Sequence, residues 1–350
     1  MCGIAGLYNE KLSSDECLLH LKKMENFLHH RGPDDSGIWL DEKSSLGFVH
    51  RRLSILDLSQ NGSQPMLSAD GRYVICFNGE IYNHLDLRKK IEKQKDIKWR
   101  GTSDTETLVE YIKLFGISET LNQASGMFAF ALYDKEHKTL YLARDRFGEK
   151  PLYYGWNGDS FFFSSELKAI SKLSIFKKKL SKLGLNKYLK FGYVPTPFSI
   201  WEGIKKCEPG TFLSISLEKK NITKETFWNA KQELNLSKSR KYSDNYDDTL
   251  SKTKEKITHA VREQMISDVP IGAFLSGGID SSLIASIMQD ISVEPINTFS
   301  VGVDNEKYDE SSYAKEVANA LGSNHFELKL SSNDLVKSLP SISKIYDEPF

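Results

Sequence analysis

The hydrophobic pattern changes its period once along this chain of 350 residues, and that change limits the folds open to it. Up to about residue 215, short runs rich in β-branched and aromatic residues follow one another with little helical spacing between them. Residues 4–8, 45–50, 72–78, 127–133, 139–144 and 160–164 have strand composition, and Asp134-Lys135-Glu136-His137 joins two of these runs as a hairpin. Helical spacing is confined to Leu85, Leu87 and Ile91, and to Leu108, Tyr111, Ile112 and Phe115. Consecutive strands with few intervening helices imply a largely antiparallel, layered α+β domain over residues 2–215.

A polar stretch rich in Lys, Ser, Asn and Asp follows, and residues 216–248 are assigned to a linker. From residue 249 onward helix and strand alternate. Leu250, Ile257, Val261 and Met265 share one helical face, and residues 270–275 form a short buried-type strand. Leu283, Ile284, Ile287 and Met288 line the next helix, and residues 296–301 the next strand. Tyr313, Ala314, Val317, Ala318 and Leu321 lie on a helix closed by Gly322, before a strand at residues 325–330. This alternation predicts a doubly wound parallel sheet. It supplies about three strands where such sheets usually have five or more. Residues 249–350 are therefore expected to be the N-terminal part of an incomplete domain, in a chain that is a fragment of a longer protein.

Composition excludes several classes. The formal net charge is zero, so there is no general attraction to nucleic acid or to membranes. The four cysteines, Cys2, Cys17, Cys76 and Cys207, are scattered without a CxxC pair, a pattern that suits a reducing compartment and free thiols. No apolar run of about 20 residues and no signal-peptide core occurs. The expected location is the cytoplasm.

Two places carry chemistry. Cys2 follows the initiator, and removal of Met1 would leave its thiol on the same residue as a free α-amine. An α-amine titrates near pH 8, so it serves as a base close to neutrality without a separate histidine. Alone, a cysteine near a chain start is more often incidental. The second place is Ser276-Gly277-Gly278-Ile279-Asp280-Ser281-Ser282, between the strand ending at Leu275 and a helix starting near Ser281. Two glycines let successive N–H groups turn inward as an anion nest, and the following helix adds its positive end. Asp280 is either the N-cap of that helix or a Mg²⁺ ligand against phosphate. The Walker Gly-Lys-Ser/Thr is absent.

The loop resembles the pyrophosphate loop of ATP pyrophosphatases. Together with Met1-Cys2-Gly3-Ile4 it makes the whole chain similar to the glutamine-hydrolysing asparagine synthetases. The same resemblance extends to His30-Arg31-Gly32-Pro33-Asp34, His50-Arg51-Arg52-Leu53-Ser54-Ile55, Asn78-Gly79-Glu80-Ile81-Tyr82-Asn83, Ser103-Asp104-Thr105-Glu106 and Ala143-Arg144-Asp145-Arg146-Phe147-Gly148. It implies an N-terminal-nucleophile αββα sandwich followed by the synthetase domain. In the first, Cys2 releases ammonia from glutamine. In the second, ATP with Mg²⁺ adenylates the β-carboxylate of aspartate, and ammonia yields asparagine, AMP and diphosphate.

A zwitterionic glutamine needs a cation and an anion in its pocket. Arg52 suits the α-carboxylate through bidentate contact, and Asp104 the α-amine. Each by itself is more often a surface ion pair. The amide of Asn78 and the N–H of Gly79 suit the oxyanion of acyl transfer, although Asn-Gly alone reads more readily as a hairpin turn. The resemblance adds Leu53, Ser54, Ile55 and Glu80 to the glutamine pocket. It places residues 30–34 over that pocket, and Leu275, Val301, Ser276, Gly277, Gly278, Asp280, Ser281 and Ser282 around the nucleotide. Leu275 and Val301 alone would read as core. Arg144-Asp145-Arg146 is expected to form a charge network between domains, and Asp347-Glu348-Pro349-Phe350 to open a further active-site string.

Relatives of this kind continue past residue 350 and supply a Gly-Asp-Glu segment, so the chain is expected to hydrolyse glutamine without completing synthesis. Other outcomes remain open at this level. The acceptor is another carboxylate, such as a sugar acid or secondary metabolite, or the product has glutaminase activity only, or it is a non-catalytic remnant. The sequence also leaves room for a homodimer.

Overall fold

A computed structural model describes residues 1–239, 244–305 and 307–350. They fall into two compact units, Met1–Ser237 together with Tyr346–Phe350, and Lys238–Ile345. The first unit opens with β1 (Gly3–Tyr8), α1 (Ser14–Phe27), β2 (Asp35–Asp41), β3 (Leu46–Arg52), β4 (Met66–Leu67) and β5 (Tyr73–Ile81). It continues with α2 (His84–Glu92), α3 (Asp104–Phe115), α4 (Ile117–Gln123), β6 (Gly126–Asp134), β7 (Thr139–Arg144), β8 (Tyr153–Asn157) and β9 (Ser160–Ser164). Then come α5 (Lys168–Ser171), α6 (Lys182–Phe191), β10 (Ile204–Lys206), β11 (Thr211–Ser216), β12 (Asn221–Thr226) and α7 (Ala230–Ser239), which straddles the division.

These strands form two six-stranded sheets, ordered β10-β8-β9-β1-β3-β2 and β12-β11-β7-β6-β5-β4. Period-2 alternation decides the layering. In β9, Phe161 and Phe163 point into a core shared with Val74, Cys76, Leu142 and Leu213 of the second sheet, while Phe162 points the other way onto Leu21 and Met24 of α1. In β5, Val74 and Cys76 face the first sheet, and Ile75 and Phe77 face Leu87 of α2 and Leu108 and Ile112 of α3. The result is helix, sheet, sheet, helix, the αββα arrangement expected from the resemblance. Inside it, Phe48 and Phe163 meet edge to face at 5.2 Å between ring centroids.

One polar bond ties the two sheets. His50 of β3 is fully buried, and its Nε2–H donates to the Phe77 carbonyl of β5 at 3.1 Å. Burial pushes this imidazole down to about 4, so it is neutral in the folded protein at neutral pH.

The first unit extends beyond residue 215, because β12 completes the second sheet by pairing along β11 from Ser216↔Asn221 to Thr211↔Thr226. Much of the stretch read as linker is therefore strand and helix, polar because β12 is an edge strand with one exposed face. Residues 240–243 of that stretch lie outside the described residues. Asp347-Glu348-Pro349-Phe350 also belongs to the first unit. Glu348 accepts from the Ile200 N–H at 2.7 Å and pairs with Lys206 at 2.5 Å, and Asp347 accepts from the Lys168 N–H at 3.2 Å.

The second unit holds α8 (Tyr246–Gln264), β13 (Gly272–Phe274), α9 (Ile279–Ile291), β14 (Asn297–Val303), α10 (Ser311–Leu321), β15 (Asn324–Leu330) and α11 (Ser332–Ile345). Its three strands are parallel in the order β13-β14-β15. Leu275, Ile287, Met288, Ala314 and Ala318 form its core with Val261 of α8. Gly322 closes α10 in the left-handed conformation, as the sequence pattern predicts.

Because His50 is neutral when folded and takes up a proton near 6.5 when unfolded, its contribution to stability is present above pH 6.5 and lost as the pH falls toward 4. Urea denaturation between these limits should show His50→Gln with a shallower pH dependence, by up to about 1.4 kcal/mol per pH unit.

Candidate active site

Cys2, immediately before the start of β1, lines a cleft of about 90 Å³. The cleft is also lined by Arg52, Leu53 and Ile55 after β3, by Asn78, Gly79 and Glu80 in β5, and by Asp104 at the start of α3. Residues far apart in sequence meet here because β1 pairs with β3 in one sheet while β5 lies against them in the other. Of the residues expected around glutamine, Ser54 does not line the cleft. Its N–H is turned to the Asp34 carboxylate at 2.8 Å, which ties the loop after β3 to the His30–Asp34 string.

Cys2 is partly exposed, whereas Cys17, Cys76 and Cys207 are buried. Its Sγ donates to the Leu53 carbonyl at 3.6 Å and accepts from the Leu53 N–H at 3.4 Å. Burial raises the thiol above its ordinary range. Burial also lowers the N-terminal amine beside it. That amine is on Met1, the residue before Cys2. Arg31 holds this end of the chain, its Nε donating to the Cys2 carbonyl at 2.9 Å and its Nη1 pairing with Glu166 at 3.0 Å.

Asn78-Gly79 is not a turn. It runs through the middle of β5, opposite Ala129 and Phe128 of β6. The neighbouring strand leaves no room for a side chain at 79, since a Cβ there would lie 2.1 Å from the Met127 carbonyl oxygen. Asn78 is 1% exposed, yet neither its Nδ2 nor its Oδ1 has a hydrogen-bond partner among the described residues. An amide withdrawn from water without a partner costs about 1–3 kcal/mol. Such a cost fits a group held ready for a ligand.

Arg52 lines the cleft, while Arg51 turns away to the Gly32 carbonyl and to Glu25. The Arg52 guanidinium is partly committed, donating to the carbonyls of Leu56, Asp57 and Ser59. Two of the five N–H groups of a guanidinium then remain for a carboxylate. Asp104 is placed by helix capping. Ser103 caps α3, accepting from the Glu106 N–H at 3.2 Å, and Asp104 is the first helical residue. Its Oδ2 accepts from the Ile81 N–H at 2.9 Å, and burial raises the carboxyl to about 6. Glu80 is also raised by burial.

Gln64, Met127 and Lys150 line the same cleft and escape sequence reasoning. Gln64 braces it, accepting from the Phe77 N–H at 2.6 Å and donating to Thr105 at 3.2 Å. Nothing in the local sequence marks Gln64. Lys150 stands two residues past the Ala143–Gly148 string. The Arg144-Asp145-Arg146 run, read as a charge network, makes bonds inside the first unit, largely to backbone groups.

In the second unit, Gly277 has φ +77°, and a Cβ there would lie 2.5 Å from Tyr313. Ser276 and Ser281 bond across the loop at 2.9 Å. The helix α9 starts at Ile279 with Gly278 as its N-cap, so Asp280 lies in the first turn and caps nothing. Ser282 Oγ, in the first turn of this helix, is buried without a hydrogen-bond partner among the described residues. Leu275, Ser276, Ser281 and Val301 share a cavity of about 330 Å³. Asp280 lines a different one, of about 660 Å³, with Ser281. Gly277, Gly278 and Ser282 line neither.

Two family models match the chain, "Glutamine amidotransferase domain" over residues 1–228 and "Asparagine synthase" over residues 252–350. A putative glutamine-hydrolysing asparagine synthetase 2 of Methanocaldococcus jannaschii is 35% identical over the whole chain, which covers 69% of that protein. Glutamine-hydrolysing asparagine synthetase 1 of Bacillus subtilis is 36% identical, again over the whole chain, which covers 53% of it. The chain thus spans between about half and two thirds of the length of these relatives. A solved glutamine phosphoribosylpyrophosphate amidotransferase from B. subtilis, complexed with ADP and GMP, aligns with a TM-score of 0.45 and 17% identity, covering 93% of this chain and 65% of that one.

Burial raises Cys17 and Cys207 to about 11 and Cys76 further, so these thiols are both inaccessible and protonated. Iodoacetamide at pH 8 should therefore alkylate Cys2 first in the folded chain. Peptide mass spectrometry should find one equivalent at Cys2, and Cys2→Ser should remove it.

Proposed function

Because the chain belongs to the glutamine-hydrolysing asparagine synthetase family, we propose that its first unit hydrolyses glutamine with Cys2 as the N-terminal nucleophile. The observation that carries this reading is the buried, unpartnered amide of Asn78 in the same cleft as the Cys2 thiol. Removal of Met1 puts the α-amine on Cys2 and clears a residue that lines the cleft. The amine takes the Sγ proton as sulfur bonds to the side-chain amide carbon of glutamine. The developing oxyanion meets the Asn78 amide and the Gly79 N–H. The C–N bond breaks as the ammonium returns its proton to the leaving nitrogen, and ammonia departs from a γ-glutamyl thioester. Water then adds to the thioester, the S–C bond breaks, and glutamate leaves with the thiol restored.

Two N–H groups of Arg52 receive the glutamine α-carboxylate. Asp104, assisted by Glu80, receives the α-amine, and Leu53 and Ile55 close the wall. In the second unit, the Ser276–Ser282 loop holds the diphosphate of ATP. Its support is an uncapped helix end, the orphaned Ser282 hydroxyl and the Gly277 turn. Leu275 and Val301 lie toward the adenosine. Asp280 is the residue of this loop that would hold Mg²⁺, which would take its other ligands from phosphate and water and offset their charge. The full-length activity is then adenylation of the aspartate β-carboxylate, followed by displacement of AMP by ammonia to give asparagine. The cytoplasm is the compartment this chemistry fits, since Cys2 must remain a thiol.

Glutamate release from glutamine by this chain tests the first reading, with Cys2→Ala expected to abolish it. Asn78→Ala should lower kcat by about 10²–10³. Equal rates in wild type and Cys2→Ala would overturn the mechanism. Asp104 must be ionised to hold an ammonium, so KM for glutamine should climb as the pH falls through about 6, and Asp104→Asn should have a high KM with little pH dependence. Mass-spectrometric detection of asparagine formed from aspartate, glutamine and ATP by the full-length protein decides the acceptor.

A further inference from the structure

Lys150 is a buried lysine inside the cleft, and its presence there is built rather than incidental. Its residue exposure is 5%, and its Nζ donates to the Met1 sulfur at 3.3 Å. No carboxylate among the described residues forms an ion pair with it. The backbone that carries it is fixed from both sides. The fully buried Asp145 accepts from the N–H groups of Phe128, Phe147, Glu149 and Lys150, at 3.2, 3.1, 2.9 and 3.0 Å. The Arg144 guanidinium donates to the carbonyls of Lys150, Gly148 and Cys207, at 2.7, 2.6 and 2.7 Å. A buried carboxylate and a partly buried guanidinium, both spent on backbone groups, bracket residues 144–150, with the Lys150 side chain reaching Met1 at the N-terminus.

We propose that Lys150 is a positioning residue of the glutaminase reaction, whose ammonium, fixed beside the chain start by the Arg144–Asp145 bracket, keeps the Cys2 α-amine neutral and able to accept the thiol proton. The proposal rests on the N-terminal-nucleophile reading above. A methionine thioether is a weak acceptor for an ammonium. Once Met1 is gone, the ammonium loses that partner and shares the cleft with the newly formed amine of Cys2. Two positive charges in one cleft shielded from water repel, so the amine resists protonation. The other charged groups here are set by geometry. Arg31 acts on the N-terminus in the same sense as Lys150, while Asp34 and the Cys2 thiolate oppose them. Glu80, Glu149 and Asp145 favour the charged form of Lys150 against its burial. A lysine serving only to neutralise Glu80 would pair with it, and this one does not.

The test uses the whole chain, with loss of Met1 checked by intact mass. The pH dependence of kcat/KM for glutamate release is measured beside a direct titration of the α-amine, by ¹⁵N NMR of cysteine-labelled protein. Lys150→Met and Lys150→Gln should move the acid limb and the amine titration upward together. The expected loss is about tenfold at pH 6.5, shrinking to less than about twofold at pH 9, the equivalent of one unit. Lys150→Arg should keep both close to wild type, and circular dichroism should show all variants folded. An amine that titrates alike in wild type and Lys150→Met, or an arginine variant that behaves like methionine, overturns the proposal. A wild-type chain that releases no glutamate while its amine still shifts in Lys150→Met overturns the glutaminase reading and leaves the role of Lys150 standing.

Discussion

The hydrogen bond from His50 to the Phe77 carbonyl is the point on which the first unit turns. It is a polar contact inside a largely apolar inter-sheet core, beside the weaker one from the Cys76 thiol to the Val49 carbonyl, and it fixes β5 against β3. Phe77 immediately precedes Asn78, and His50 immediately precedes the arginines that lead to Leu53. Whatever holds this pair therefore also holds the Asn78 amide near the sulfur of Cys2. An apolar contact tolerates sliding. A buried donor with a single acceptor does not, because a shift leaves both unpaired.

The same economy recurs around the cleft. Charged side chains there are seldom spent on one another. Arg52 holds three carbonyls of the loop after β3, Arg144 holds three around residue 150, and Asp145 gathers four N–H groups. These residues shape irregular backbone that has no strand neighbour to satisfy it. The Asn78 amide, without a partner among the described residues, and the Lys150 ammonium, whose one hydrogen bond goes to the Met1 sulfur, both face the cleft.

Much of this was legible in the chain itself. The strands at residues 4–8, 45–50, 72–78, 127–133, 139–144 and 160–164 were marked by composition, because strands buried on both faces of a sheet read as near-continuous apolar runs. The second unit was legible for a related reason, since parallel βα units repeat a local signal of short apolar strand and amphipathic helix. What escaped included β12, whose exposed face reads as polar linker, and the short β10, which pairs with β8 some fifty residues earlier. That Ser54 turns its N–H to Asp34 and does not line the cleft is a tertiary fact that no motif announces.

The sequence alone determined the chemistry available: a cysteine one residue from the start, an Asn-Gly pair, a glycine-rich loop ahead of a helix. These are properties of residue type and short spacing, and they survive without a fold. Only the tertiary structure decided which residues use that chemistry. Asn78-Gly79 is strand rather than turn because β6 pairs along its whole length. Asp347 and Glu348 belong to the first unit because Lys168, Ile200 and Lys206 offer their partners there. Lys150 enters the cleft because Asp145 finds the N–H of Phe128, seventeen residues away. Hydrogen bonds of that kind join groups whose separation along the chain carries no pattern, so they are settled only when the sheets pack.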